Sequence, residues 1–230
     1  MDIKKIYQSV FAKQSRTKKI PKINPNRLTR GNSKLDSSIF IFDVTAGKTC
    51  GKTCFKCYAI QSQKQYHQTE LFRAINTDIA KNSDLLYHLI TKQLANARKV
   101  KTVRIHSSGD FFNQDYINTW DSIIKQFPDI NFYAYTKQNH DHDFNQIEKN
   151  PNFNLINSMV TLKSGEQVFN YGDLNHIKNL SNEGYFVCPA TTKDWTGKCG
   201  KDCNYCITNK KVCFHIHYPG QKNKNKPSFF

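Results

Sequence analysis

No stretch of this 230-residue chain is apolar for long enough to cross a membrane. The first segment, MDIKKIYQSVFAKQSRTKKI, is charged and lacks the apolar core of a secretory leader. The expectation is a cytoplasmic protein with no membrane partner. A Walker loop, a dinucleotide-binding glycine fingerprint and a serine nucleophile elbow are also missing, which demotes the enzyme classes built on them. There is no repeat of solenoid length. Acidic side chains are scarce: 18 Asp and Glu stand against 34 Lys and Arg, a net charge of +16. The imbalance is steep at the start, where residues 1–30 hold nine Lys or Arg and only Asp2.

What is present supports a packed domain. Hydrophobic residues make up 38% of the chain, with 16 Phe and 11 Tyr, so it is not disordered throughout. The length suits one domain with a small appendage. The divisions expected are a basic flexible arm over 1–30, an α/β core over 31–183, a cysteine-rich metal-binding extension over 184–218 and a basic tail over 219–230. Pro21 and Pro25 break any long helix in the arm. An arm of this charge suits DNA or RNA, without sequence specificity, although a solvated lysine-rich tail has the same composition.

Periodicity gives alternating strands and helices. SSIFIFDV, from Ser37, reads as a buried strand. Leu71, Phe72, Ile75 and Ile79, then Leu85, Leu86, Leu89, Ile90 and Leu94, recur at helical spacing. A break is expected near Asn82, with Ser83 or Asp84 as the second cap. Val100–His106 reads as a strand, and Tyr116 to Phe127 as an amphipathic helix stopped by Pro128. Further strands are expected over Ile130–Thr136, Phe153–Thr161, Tyr185–Val187 and Val212–His217, with helices over Asp143–Glu148 and Asp173–Leu180. Alternation of this kind predicts an α/β fold, a partial (β/α) barrel or mostly parallel sheet. Functional sites in such folds sit at the carboxyl ends of the strands. The first cysteine loop, the Ser108-Gly109-Asp110 turn and the Tyr135-Thr136-Lys137 end all fall there.

The eight cysteines form two groups, with none between Cys57 and Cys188. In a reducing compartment such clustering points to metal or redox chemistry rather than disulfides. Cys50, Cys54 and Cys57 follow a Cys-x3-Cys-x2-Cys spacing. Three local thiolates can hold an iron–sulfur cluster with one open iron, or zinc with Cys188 or Cys213 as a fourth ligand. Cys188, Cys199, Cys203 and Cys206 suffice for a closed site of their own, as a second iron–sulfur cluster or structural zinc. Cys213, His215 and His217 share a strand face and could add a ligand. Asp110 and His106, beside the proposed site, are candidates for proton handling. His140, Asp141, His142 and Asp143 form a polar loop that reads equally as a metal site or a helix entry.

The first cysteine spacing, placed after the first strand, resembles the radical S-adenosylmethionine (SAM) enzymes. That resemblance implies a [4Fe–4S] cluster on Cys50, Cys54 and Cys57, with SAM on the open iron and a reductant such as a flavodoxin. It further implies SAM contacts from Ser108, Gly109 and Asp110, and from Tyr135 and Thr136, and reductive SAM cleavage that starts radical chemistry on a substrate that could be a nucleic acid. The segments RIHSSGDFF and FYAYTK, followed by CPA and the later cysteines, more closely resemble a family of phage and plasmid proteins. This second resemblance implies a mobile-element origin and no particular activity. The rival reading is a non-catalytic, zinc-stabilised nucleic-acid-binding protein of a phage or plasmid.

Overall fold

The computed structural model describes residues 3–14, 26–51, 57–138, 141–192 and 194–216. Cys54, His140, His217 and the basic tail expected over 219–230 lie outside the described residues.

The chain opens with helix α1 (Ile3–Gln14). Ile6, Tyr7, Val10 and Phe11 fall on one face and are buried in the main core. Within the span expected as a flexible arm, residues 3–14 are therefore a packed helix: Lys4, Lys5 and Lys13 dominate its composition, but the apolar stripe among them decides its structure. Arg27, fully buried, fastens the helix to the core through Tyr7 Oη at 2.7 Å and Asn76 Oδ1 at 3.2 Å.

Strand β1 (Thr29–Arg30) pairs antiparallel with β2 (Ile39–Phe42). Three helices follow: α2 (Tyr58–Gln65), α3 (His67–Ala80) and α4 (Ser83–Ala95). The break before α4 comes where expected, but Asn82 is the cap, accepting from Leu85 N at 2.8 Å. Strand β3 (Thr102–Ile105), helix α5 (Gln114–Gln126) and strand β4 (Asn131–Thr136) come next. The helix expected over Asp143–Glu148 is instead a single 3-10 turn at Ile147–Lys149, which leads to strand β5 (Phe153–Asn157). Asn113 caps α5 by accepting from Tyr116 N at 2.8 Å. Asn113→Ala should lower stability by about 1 kcal/mol in urea denaturation, and Asn113→Asp should restore most of it.

The main sheet runs in chain order, β1-β2-β3-β4-β5, with β2 to β5 parallel. It is mostly parallel, as predicted, and does not close into a barrel. Steps in one direction with right-handed crossovers place the connecting helices on one face. Phe40, Phe42, Val103, Ile105, Phe132, Ala134 and Leu155 pack there against the helices. The other residues of each strand, among them Ile39, Ile41, Tyr135 and Ile156, belong to separate clusters on the opposite face.

That opposite face is covered by the end of the chain. Ser158 interrupts the single strand expected over Phe153–Thr161. Beyond it, β6 (Met159–Thr161) leaves the main sheet and pairs antiparallel with β7 (Gln167–Phe169). Strand β8 (Tyr171–Gly172), helix α6 (Leu174–Asn182), strand β9 (Phe186–Val187), helix α7 (Tyr205–Thr208) and strand β10 (Val212–His215) complete the chain. Strand β10 lies between β8 and β9, parallel to both. The extension is therefore a cover built onto the sheet. Cys199 N donates to Lys34 O at 2.9 Å, and Asp36 N to Cys199 O at 2.8 Å. Asn154 Nδ2 donates to both Cys206 O and Asn209 O at 3.0 Å.

Candidate functional site

The cover brings four thiols under the sheet. Cys188 leads into a 3-10 turn, Cys206 sits in α7, and Cys199 and Cys203 are joined by a backbone bridge. Gly200, at φ 90°, makes the turn possible: a Cβ there would stand 2.7 Å from Ile39 Cδ1. Burial pushes the Cys188 thiol up to about 12, with Cys206, Cys199 and Cys203 adding to the rise. Burial pushes Cys206 up to about 11, against a hydrogen bond from the Tyr135 hydroxyl and the charge of Arg104. The four share one electrostatic neighbourhood, not yet a coordination sphere. Among the described residues no three His, Cys, Asp or Glu side chains are grouped at metal-binding geometry.

Cys213 does not join them. Successive residues of β10 face opposite ways: Val212 packs with Cys188 and Ala190, while Cys213 packs with Ile177 and Leu180. Burial alone pushes its thiol up to about 11, with no effect from the other cysteines. His215 is buried, and its N–H donates to Thr191 Oγ1 at 3.2 Å.

At the carboxyl edge, Cys50 and Cys57 flank the first loop, and both are partly exposed. Cys57 is the N-cap residue of α2, whose N-terminal dipole favours a thiolate. Asp43, directly after β2, accepts from Ser107 N at 2.7 Å, Ser107 Oγ at 2.8 Å and Ser108 N at 3.0 Å. The Tyr58 hydroxyl donates to Ser107 O. Gly51, at φ 55°, lies against the Gln138 side chain, where an added Cβ would come within 2.6 Å of Nε2.

The Ser108–Asp110 turn and the Tyr135–Thr136 strand end do meet, as the sequence predicted. Asp110 Oδ1 accepts from Phe111 N at 2.8 Å and Thr136 Oγ1 at 2.9 Å, and Oδ2 from Lys137 N at 2.9 Å. Burial pushes Asp110 up to about 6, while those same three donors pull it down. Ser108 Oγ donates to Val44 O at 3.0 Å, and a Cβ on Gly109 would stand 2.3 Å from Val44 Cγ2. The polar groups of this turn are thus spent within the protein, where the resemblance placed them against SAM. Tyr135 faces the four-cysteine cover instead, because alternation sends it to the opposite side of β4 from Ala134 and Thr136.

His106 is no proton carrier for the mouth. It is buried at φ 69°, its Nε2 is 2.8 Å from Tyr116 Oη, and its ring meets Phe111 edge-on at 4.8 Å. Burial and the charge of Arg104 bring it down to about 3, so the ring is neutral at ordinary pH. Asp141 N donates to Gln138 O at 3.0 Å, and Asp143 Oδ1 accepts from Asn145 N at 2.8 Å, so this loop uses its polar groups in turns.

Two residues gain importance that the sequence reading did not assign. One is Asp43, whose signal was an acid placed directly at a strand's carboxyl end. The other is Arg104, in the middle of β3. Burial opposes its charge, but Tyr133, Tyr58, Tyr135 and Asp43 outweigh that and raise it above its ordinary value. Its guanidinium lies 5.3 Å from the centre of the Tyr135 ring and works against the burial that raises the Cys199 and Cys206 thiols.

The sequence matches the profile of a family described as Gene product 88 over residues 11–167. Two relatives, the "Gene 88 protein" of Mycobacterium phage L5 and the "Gene 88 protein" of Mycobacterium phage D29, are each 31% identical to it over 96 residues. That alignment covers 38% of this chain and 39% of each relative. No solved structure matches. The matched span holds the first cysteine loop, Asp43, Arg104 and Asp110, and ends before Cys188. With more than half of its residues in the match, the chain belongs to the Gene product 88 family.

Proposed function

We propose that this protein is an iron–sulfur enzyme of the radical SAM kind. In this reading Cys50, Cys54 and Cys57 hold a [4Fe–4S] cluster, and Cys188, Cys199, Cys203 and Cys206 hold a second thiolate-bound centre. One observation carries the reading. The first cysteine loop connects the first two parallel strands of a chain-ordered sheet, and its two ends rest against the next strand ends, Tyr58 on Ser107 and Gly51 on Gln138.

The donor chemistry fits such a group. Thiolates are the usual ligands of iron–sulfur clusters, and the N-terminus of α2 at Cys57 favours the negative charge they bring. A cluster on three thiolates supplies a one-electron reductant with one iron open to another ligand. The Ser108–Asp110 turn does not fit the amino group of SAM, because its carboxylate already accepts three internal donors. Asp110 and Asp43 are positioning residues: they tie three strand ends into a floor for the loop. Arg104 offsets negative charge from the second cysteine group.

The test is anaerobic reconstitution followed by reduction with dithionite in the presence of SAM. Brown protein, about four irons per cluster, and 5′-deoxyadenosine as product are expected. Cys54→Ala should abolish the product and leave the second centre loaded. Colourless protein with stoichiometric zinc and no 5′-deoxyadenosine would defeat the proposal in favour of a zinc-stapled binding protein.

A further inference from the structure

A stacked aromatic pair outside both cysteine groups stands beside the carboxyl edge, its Phe169 exposed and its Tyr171 half-buried. Phe169 ends β7 and Tyr171 begins β8; their rings stack at 5.0 Å with 25° between planes. Phe169 is 42% exposed. Asn170 between them points inward and is buried, its Nδ2 donating to Val212 O at 3.1 Å. Its backbone is held on both sides, by Ser158 O at 2.9 Å and by Phe214 N at 2.9 Å. The two rings are therefore presented on a rigid backbone. Lys137 Nζ lies 4.9 Å from the centre of the Tyr171 ring and 5.5 Å from that of Phe169. The same residue's N–H is bonded to Asp110, so the pair sits at the end of β4.

From this we infer that Phe169, Tyr171 and Lys137 form a stacking platform for an unpaired base of single-stranded nucleic acid. Large exposed aromatics with a cation beside them, held rigidly, are what sequence-tolerant strand binding uses: a ring for the base and a charge for the phosphate. A duplex keeps its base faces covered and offers nothing to stack. The chain's net charge of +16 favours a polyanion over an apolar protein surface. The platform is distinct from the metal reading, since none of its three residues is a cysteine.

The test is fluorescence anisotropy with a labelled single-stranded oligothymidylate, the full chain and moderate salt. Phe169→Ala combined with Tyr171→Ala should weaken binding at least about tenfold. Phe169→Leu with Tyr171→Leu keeps apolar bulk and should show the same loss, while Phe169→Trp should bind as well as the parent or better. Tyr66→Ala, an exposed aromatic elsewhere, should change nothing. Unchanged affinity in both double variants would overturn the inference, as would equal affinity for the duplex. Saturable binding of adenosine monophosphate with no binding of the strand would replace it with a nucleotide pocket. Iron content and 5′-deoxyadenosine formation, measured on the same variants, should stay at the parent level, which separates failure here from failure of the enzyme proposal.

Discussion

With Cys188, Cys199, Cys203 and Cys206 holding a metal as proposed, stripping it, or replacing Cys206 with Ala, should loosen residues 184–216 from the sheet. The loss of stability relative to the loaded protein should be on the order of 10 kcal/mol. The cover has little core of its own: Cys188, Ala190 and Val212 are its buried members in the cluster with Ile156. Its strands β9 and β10 are two and four residues long, and α7 is four. Segments this short need a tie across them. The thiols also predict a pH dependence. With Cys188 at about 12 and Cys206 at about 11, both are protonated at neutral pH without metal. Metal binding must expel those protons, so affinity should fall steeply as pH falls from 8 to about 6. Thermal melting with and without a strong chelator checks the first effect, and hydrogen exchange over 184–216 locates it. Identical melting of metal-loaded and stripped protein would end the idea that these thiols hold a structural centre.

Acid should destabilise the fold through His106. Its folded value of about 3 lies below the ordinary 6.5, so the unfolded chain binds the proton more tightly. The stability it contributes is present above pH 6.5 and is lost as pH falls towards 3, by at most about 5 kcal/mol. Asp110 works in the opposite sense. Its folded value of about 6 lies above the ordinary 3.8. What it contributes is present below 3.8 and lost as pH rises through 6. The two oppose each other between about pH 4 and 6, with the larger His106 shift prevailing. His106→Asn keeps a residue type that tolerates the positive φ and removes the titration. That variant should be less stable at neutral pH, yet its melting temperature should fall less on acidification than the parent's. A parallel decline in both proteins would show that His106 is not the acid-sensitive group.

The strands and helices of the main sheet were legible where one periodicity ruled a segment. IFIF is buried at every position because both faces of β2 are covered. The stripe from Tyr116 to Ile124 lies between a capping Asn113 and Pro128. Helix α1 was missed because Lys4, Lys5 and Lys13, on either side of the Ile6–Phe11 stretch, masked an apolar stripe that only docking against α3 rewards. The break at Ser158 was missed because apolar and β-branched residues resume directly after it, at Met159, Val160 and Thr161. Ser158 N makes the last bond to β4, with Thr136 O at 2.8 Å, while its carbonyl accepts from Asn170 N at 2.9 Å, so the chain passes there from the main sheet to the cover.

Spacing along the chain determined that the cysteines form two local groups, and alternation of patterns determined that the first lies at a sheet's carboxyl edge. Both are short-range properties, carried by residues a few positions apart. Which polar groups stay available was decided by tertiary structure alone. Asp110 is consumed by Thr136 and Lys137, residues distant in sequence, once β3 and β4 pair in their observed register. Tyr135 meets Cys206 and not the turn because the last third of the chain folds back over the opposite face. A side chain's partners depend on what is packed against it, and for these residues that packing joins segments that no local pattern connects.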